Sequence, residues 1–311
     1  MLGISGMEYG LARLVIGSPK FVGITEKEYL DIRRRRDILL EALFIEEKFD
    51  LVIDNYLEFE TDLLDSVARE MVRGLPSWTA FQTERNQMNR RIVNLLSSCR
   101  LYLDHTRHHL SNIESTEGAI ATAIEARISA QYDGSLGFRA MEALRNYVQH
   151  RGYPLHGVTF DGRWMNEWKK LRYAVIPYMK LDELAEDGKF KATVLQELKA
   201  LGTTADIKPL VREYVDGLGK IHTEVRNQIR LPIEESDAVI RSAIDRYRKA
   251  EPIEDSVIGL AAVRREQEDI ADSVQLFEEL LDYRKGFERK NHNLNNLAKR
   301  YVTSETITRD A

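Results

Sequence analysis

Apolar residues between Thr25 and Arg73 alternate steps of four and three: Ile38, Ala42, Ile45, Phe49, Val52, Tyr56, Phe59 and Leu63. That stepping is the seam of a coiled-coil-like helix, and the stretch contains no Gly or Pro. Thr25 with Glu28 three residues later has capping-box spacing, and Gly74 and Pro76 close the run. After Ser77, a cap residue, the same stepping resumes at Met88, Ile92, Leu95, Cys99, Tyr102 and Ile113, widened by Leu96, Leu103 and Leu110. The connection is short enough that only an antiparallel pair is expected.

A third helix is expected from about Thr116 to Gln131 with Ile120, Ile124 and Ile128 inward. A turn follows at Tyr132-Asp133-Gly134, and Ser135 caps a fourth helix that ends near Gly152, the expected C-terminal cap. At about 100° per residue, Met141, Leu144 and Val148 form one stripe of that fourth helix. Arg139, Glu142, Arg145, Asn146, Gln149 and His150 share the other side. Arg145 and His150 lie roughly 140° apart, so Arg145 neighbours Gln149 and Asn146 neighbours His150. A joint Arg–His site therefore requires either a loosened last turn or a second copy of the helix.

The run Arg145-Asn146-Tyr147-Val148-Gln149-His150 resembles the signature of the higher eukaryotes and prokaryotes nucleotide-binding (HEPN) domains: Arg, four to six residues, then His, with a polar residue often directly after the Arg. The order of helices, a long antiparallel hairpin and then two shorter helices with the signature near the end of the last, is also similar. The resemblance covers about residues 25–152. It implies a helical bundle that homodimerises through the signature helix, and a metal-independent endoribonuclease of a bacterial defence or toxin–antitoxin type system, with no cofactor. Arg145, Asn146 and His150 would be catalytic, Glu142 and Gln149 supporting, and RNA the substrate. An antitoxin or a second defence-system protein would be a partner. The alternative is a non-catalytic HEPN-like scaffold that binds a protein or a nucleotide. Structurally, Arg145 would then pair with Glu142 and His150 with carbonyls at the helix end.

The expected fold is thus mainly α: an N-terminal segment at 1–24, the helical domain at 25–152, and an α-rich domain at 153–311 opening with a β-hairpin near 155–180. In that hairpin Tyr153–Gly162 pairs with Leu171–Met179, and Pro177 restricts the second run to an edge. The stretch Trp164–Trp168 reads alternatively as a helical turn. Further helices are expected at about 190–201, 207–230 and 233–249, and a long one from near Asp255 to Val302; Gly217, Gly219 and Gly259 would interrupt them, and Thr303–Ala311 would fray. No internal repeat is seen.

Charge narrows the partners. The chain of 311 residues has a net charge of −5, and residues 1–151 carry 19 basic against 22 acidic side chains, so RNA contact must be local. Arg33-Arg34-Arg35-Arg36 is the one basic run, but four consecutive helical residues point around the axis. Trp164 and Trp168, among Lys169, Lys170 and Arg172, either pack or stack bases. Nothing approaches eighteen uninterrupted apolar residues, so no membrane span is expected. Glu8 and Arg13 interrupt any signal peptide, and the single cysteine fits a cytoplasmic protein with a buried thiol at Cys99. His105 and His109, at helical i,i+4 spacing, are the weaker candidates for zinc, and no metal is expected. His156, His222 and His292 stand alone, and no phosphate-binding glycine loop or nucleophile elbow is present.

Overall fold

The computed structural model describes residues 7–15, 20–74, 77–114, 118–165, 170–186, 188–252, 257–267, 269–294 and 296–302. The expectations placed on Pro76, on a helix start at Thr116, on Trp168, Lys169 and Asp255, and on the tail from Thr303 lie outside these residues. The elements are β1 (Met7–Arg13), β2 (Val22–Gly23), α1 (Glu26–Arg73), α2 (Trp78–Ile113), α3 (Ala119–Gly134), α4 (Leu136–His150), β3 (Gly157–Met165) and β4 (Lys170–Lys180). They continue with α5 (Leu181–Glu186), α6 (Ala192–Lys199), β5 (Thr204–Asp206), α7 (Ile207–Ala250), β6 (Leu260–Glu266), β7 (Asp269–Gln275), α8 (Glu278–Lys290) and a 3-10 turn at Leu297–Lys299. The chain is mainly helical, with two small antiparallel sheets.

Two compact units draw on three stretches each: 1–50, 102–123 and 225–292 in the first, and 51–101, 124–224 and 293–311 in the second. Long helices contribute to both. Within the first unit, α1 meets α2 through Phe49 on Tyr102 (ring centroids 5.3 Å), Glu41 with His109 (2.5 Å), and Arg34 donating to the Asn112 and Ile113 carbonyls at 2.7 and 3.0 Å. Within the second, Asp62 accepts from Gln87 at 2.9 Å and from Arg91 at 2.7 Å, and the Ser66 hydroxyl donates to Glu84 at 2.5 Å. Numbers rise along α1 as they fall along α2, the signature of an antiparallel pair. Of the seam read from sequence, Ile38, Ala42, Ile45, Phe49, Val52, Phe59 and Leu63 of α1 and Met88, Ile92, Leu95, Cys99, Tyr102 and Ile113 of α2 are buried, and Tyr56 is half-buried.

Local signals act as their chemistry requires. The Glu28 carboxylate accepts the Thr25 backbone N–H (2.7 Å) and hydroxyl (3.0 Å), while the Thr25 hydroxyl accepts the Glu28 N–H (3.2 Å), a reciprocal capping box. At the other end of α1, Gly74 takes φ +66° and donates its N–H to the Glu70 carbonyl. Ser77 accepts the Ala80 N–H at 3.3 Å to open α2.

Helix α7 corrects the expected pair at 207–230 and 233–249. One helix runs through Pro232, because Leu218, Ile221, Val225, Ile229, Ile233, Ile240 and Ile244 continue one buried stripe across the proline. That burial outweighs the roughly 3 kcal/mol an interior proline costs. Gly217 does not interrupt it either: a Cβ there would sit 2.7 Å from the Phe138 ring, so the glycine marks a close approach. Four arginine–glutamate pairs tie α7 to α1 in antiparallel order: Arg212–Glu60 (2.7 Å) in the second unit, and Arg226–Glu46 (2.7 Å), Arg35–Glu235 (2.9 Å) and Arg246–Glu28 (2.8 Å) in the first. The exposed pairs are worth little, whereas Glu46 is 4% exposed and its pair is bidentate.

The last expected helix is also corrected. From Leu260 to Gln275 the chain forms β6 and β7, and among the described residues that follow, α-helix is confined to Glu278–Lys290. Leu260, Ala261, Ala262 and Val263 are all buried, a continuous run that reads equally well as helix or as covered strand. The N-terminal segment resolves the ambiguity, since β1 pairs with β6 from Met7 opposite Glu266 to Arg13 opposite Leu260, giving the sheet β2-β1-β6-β7.

The second sheet is β3-β4-β5, so the expected hairpin forms, with Gly157 opposite Tyr178 and Met165 opposite Lys170. Trp164 is in strand β3 rather than in a helical turn. Strand β4 is central rather than an edge, yet β5 pairs only with Tyr178–Lys180, so at Pro177 the strand has one paired neighbour, Val158.

Candidate functional site

Helix α4 is held at its N-terminus by a side chain from α7. Ser135 accepts the Phe138 N–H at 3.1 Å, and Glu213 accepts both the Gly137 N–H (2.8 Å) and the Ser135 hydroxyl (3.0 Å), placing a carboxylate at the positive end of the helix. The turn expected at Tyr132–Gly134 is instead the end of α3. Its Tyr132 and Asp133 carbonyls accept from Arg139 at 2.9 and 2.7 Å, and Arg139 also pairs with Glu197 at 2.6 Å. The α4 face carrying Gly137, Phe138, Ala140, Met141, Ala143 and Leu144 is buried, and Phe138 meets Tyr214 edge-on at 4.9 Å. Val148 is half-buried.

The polar residues of α4 divide into two groups. Glu142 points inward: its Oε1 accepts the Tyr214 hydroxyl at 2.5 Å, and Tyr214 is 1% exposed. Burial first, then the neighbouring Cys99 and Glu142, push the Tyr214 hydroxyl well above its ordinary pKa, an effect Arg145 opposes. Cys99 is the buried, inert thiol expected, its pKa raised by burial and then by Glu142.

The expected pairing of Glu142 with Arg145 is therefore corrected. Arg145 is half-buried and donates instead to the Asn146 side-chain oxygen, and its Nε is buried without a partner. Asn146, Gln149 and His150 are exposed, and Gln149 and His150 make no hydrogen bond or ion pair among the described residues.

Helix α4 stays regular to its end. It is α-helical through His150, and the Arg151 N–H donates to the Tyr147 carbonyl four residues back at 2.8 Å. Gly152, expected as the cap, is not in the left-handed region; Arg151 closes the helix. A loosened last turn is thereby removed as a route to bringing Arg145 and His150 together within one chain. The structure joins Arg145 to Asn146 and leaves His150 about 140° round the axis.

The remaining candidates have structural roles. His109 is buried, with Nδ1 against Glu41 Oε2 at 2.5 Å; Asn112 donates to the other oxygen at 3.1 Å, and burial lowers the His109 pKa. No group of three metal-ligating side chains occurs among the described residues. His156 does not stand alone: its Nδ1 accepts the Lys180 N–H at 3.2 Å, its Nε2 lies 3.5 Å from Glu183, and burial lowers its pKa. His292 Nδ1 lies 2.6 Å from the Arg289 carbonyl oxygen. The four-arginine run is dispersed, as its period requires: Arg33 to Asp272 and Tyr29, Arg34 to the end of α2, Arg35 to Asp31 and Glu235, and Arg36 to Asp37. No helix among the described residues is long and apolar enough to cross a membrane.

No family model, no curated protein and no solved structure matches the chain.

The α4 surface offers a guanidinium braced by a neighbouring amide, and an exposed imidazole one turn further on. Together these supply a fixed cation and a proton carrier on a rigid element. Sequence reading missed the residues that fix this surface, Glu213 and Tyr214. The one available signal was a tyrosine on the apolar stripe of α7, because a buried phenol demands a partner.

Proposed function

We propose that the chain is a metal-independent endoribonuclease of HEPN type, acting as a homodimer in which α4 from each copy lines one cleft. The observation that carries this reading is the regular α4 terminus. It presents His150 to solvent while Arg145 is held by Asn146 on another side, so a composite site needs two copies. In the cleft, the ribose 2′-oxygen attacks the adjacent phosphorus as His150 takes its proton. The bond from phosphorus to the 5′-oxygen breaks, and that leaving oxygen takes a proton from water while the imidazolium releases its own to solvent. A cyclic phosphate and a 5′-hydroxyl result, and DNA, lacking the 2′-hydroxyl, is spared.

Arg145 stabilises charge on the non-bridging oxygens, and losing such a donor costs about 100-fold or more in rate. Asn146 orients the guanidinium, Gln149 borders the phosphate path, and Glu142, bound to Tyr214, anchors the helix rather than touching substrate. A toxin or defence role, with an antitoxin or a second defence protein as regulator, follows from the same resemblance. A non-catalytic scaffold is favoured by the half-burial of Arg145. The readings separate in one assay. Purified protein cleaves labelled RNA in EDTA, and His150→Ala loses at least about 100-fold of that rate with an unchanged circular dichroism spectrum. Full activity in the variant, or none in the wild type, leaves the scaffold.

A further inference from the structure

The hairpin β3–β4 carries an arrangement that costs stability and that packing does not explain. Register places Arg163 directly opposite Arg172, and Met165 opposite Lys170, on one face of the ribbon. Directly opposed residues have Cα atoms about 4.5–5.5 Å apart, and like charges there repel. Asp161, two residues along the same face, pairs with the Arg163 Nε at 2.7 Å. Arg172 has no partner among the described residues, and the Arg163 side chain is 78% exposed. Among the described residues the Arg163–Arg172 pair thus faces one carboxylate, Asp161, in a chain whose net charge is −5.

The opposite face of the same segment is aromatic and apolar. Trp164 faces Leu171 across the ribbon, and Tyr173 faces Gly162, which offers no side chain to cover it. Trp164 is 69% exposed and Leu171 36%. Nearer the base the same face is used for packing, with Phe160 against Phe81 at 5.9 Å and Val175 buried. The change from packed to exposed occurs within one strand, so the outer segment is an arm presented to solvent.

We propose that this arm binds single-stranded RNA, the Arg163–Arg172 face holding phosphates and the Trp164–Tyr173 face stacking bases. Stacking on aromatic side chains tolerates any base, and phosphates relieve the repulsion that the arginine pair otherwise retains. Strand β3 is an edge and β5 covers β4 only at Tyr178–Lys180, so both edges of the outer ribbon are open and one strand of RNA reaches both faces round an edge. The choice of RNA over DNA rests on the nuclease reading above; the anion-binding face stands on register alone.

The test is fluorescence anisotropy of a fluorescein-labelled 20-nucleotide oligouridine with full-length His150→Ala protein in EDTA, over a salt series. Arg163→Gln/Arg172→Gln lowers affinity by about 10-fold or more at low salt and reduces the slope of log K against log salt by about 1.4, two single-strand phosphates' worth. Trp164→Ala lowers affinity by about 5-fold or more. Arg172→Glu, which sets an opposite charge against Arg163, keeps or raises the melting temperature and still weakens binding, separating the effect from misfolding. Unchanged affinity and salt slope in the arginine variants overturns the proposal. So does loss of binding to phosphatidylserine vesicles without loss of binding to RNA.

The two readings fail separately. A wild type that cleaves nothing in EDTA, with RNA binding still dependent on the arm, ends the nuclease and keeps the arm. A wild type that cleaves, with arm variants matching it in both KM and affinity, ends the arm alone.

Discussion

Tyr214→Phe removes one oxygen and isolates the carboxylate that α4 turns inward. The Tyr214 hydroxyl donates to Glu142 at 2.5 Å from a side chain that is 1% exposed, and Glu142 has no other hydrogen bond among the described residues. The substitution opens almost no cavity, so the cost is that of a hydrogen bond to a charged group, about 1.5–3 kcal/mol. A folded unit of roughly 150–250 residues moves by about 2–4 °C per kcal/mol, which gives a fall in Tm of about 3–12 °C. Replacing both partners, Tyr214→Phe with Glu142→Leu, removes the stranded charge and recovers most of the loss. The double-mutant cycle, read by urea denaturation followed by circular dichroism, then yields a coupling of about 1–3 kcal/mol. A cost under about 0.5 kcal/mol for Tyr214→Phe, or strict additivity in the cycle, refutes the claim that this bond anchors α4.

Other perturbations follow from the same geometry. Glu46→Ala strands the half-buried Arg226 guanidinium, which keeps only its bond to the Asn291 carbonyl among those described, and costs about 3 kcal/mol in urea denaturation, whereas an apolar replacement of both residues costs much less. Gly217→Ala, which elsewhere in a helix would gain about 1 kcal/mol, lowers the Tm because its Cβ would lie 2.7 Å from the buried Phe138 ring; in a Phe138→Leu background the sign reverses. The Glu28 carboxyl is held below its ordinary value of 4.5 by the Thr25 N–H and hydroxyl, so its contribution is present above that pH and is lost as pH falls through the depressed value. Thr25→Ala, which keeps the N–H and loses the hydroxyl, costs about 0.5–2 kcal/mol at neutral pH and partly flattens the acid limb of the stability–pH profile below about 4.5.

What could be read along the chain was what is decided locally. The capping box at Thr25 and Glu28, the cap at Ser135 and the seam shared by α1 and α2 all depend on residues a few positions apart, and each appears where its spacing puts it. The sheet joining β1 to β6 depends on residues about 250 positions apart, and the run Leu260–Val263 is buried on all sides, so neither alternation nor helical period identifies it. Pro232 misled for a related reason, since a local rule gave way to the packing of a 44-residue helix. At the candidate site, the facing of Arg145, Asn146, Gln149 and His150 was legible from the period of α4. The inward turn of Glu142 was not, because its partner Tyr214 lies 72 residues further along the chain, on α7.

If Arg145 of one copy and His150 of another act on one phosphate, as proposed, subunit mixing restores what each variant lacks. Arg145→Ala and His150→Ala proteins are each assayed for cleavage of labelled RNA in EDTA, then unfolded together, refolded as a mixture and assayed again. Each variant alone is expected to be inactive, and the mixture to regain part of the wild-type rate, because a mixed dimer rebuilds one complete pair. A wild type that cleaves while the mixture stays as inactive as its components contradicts the proposal.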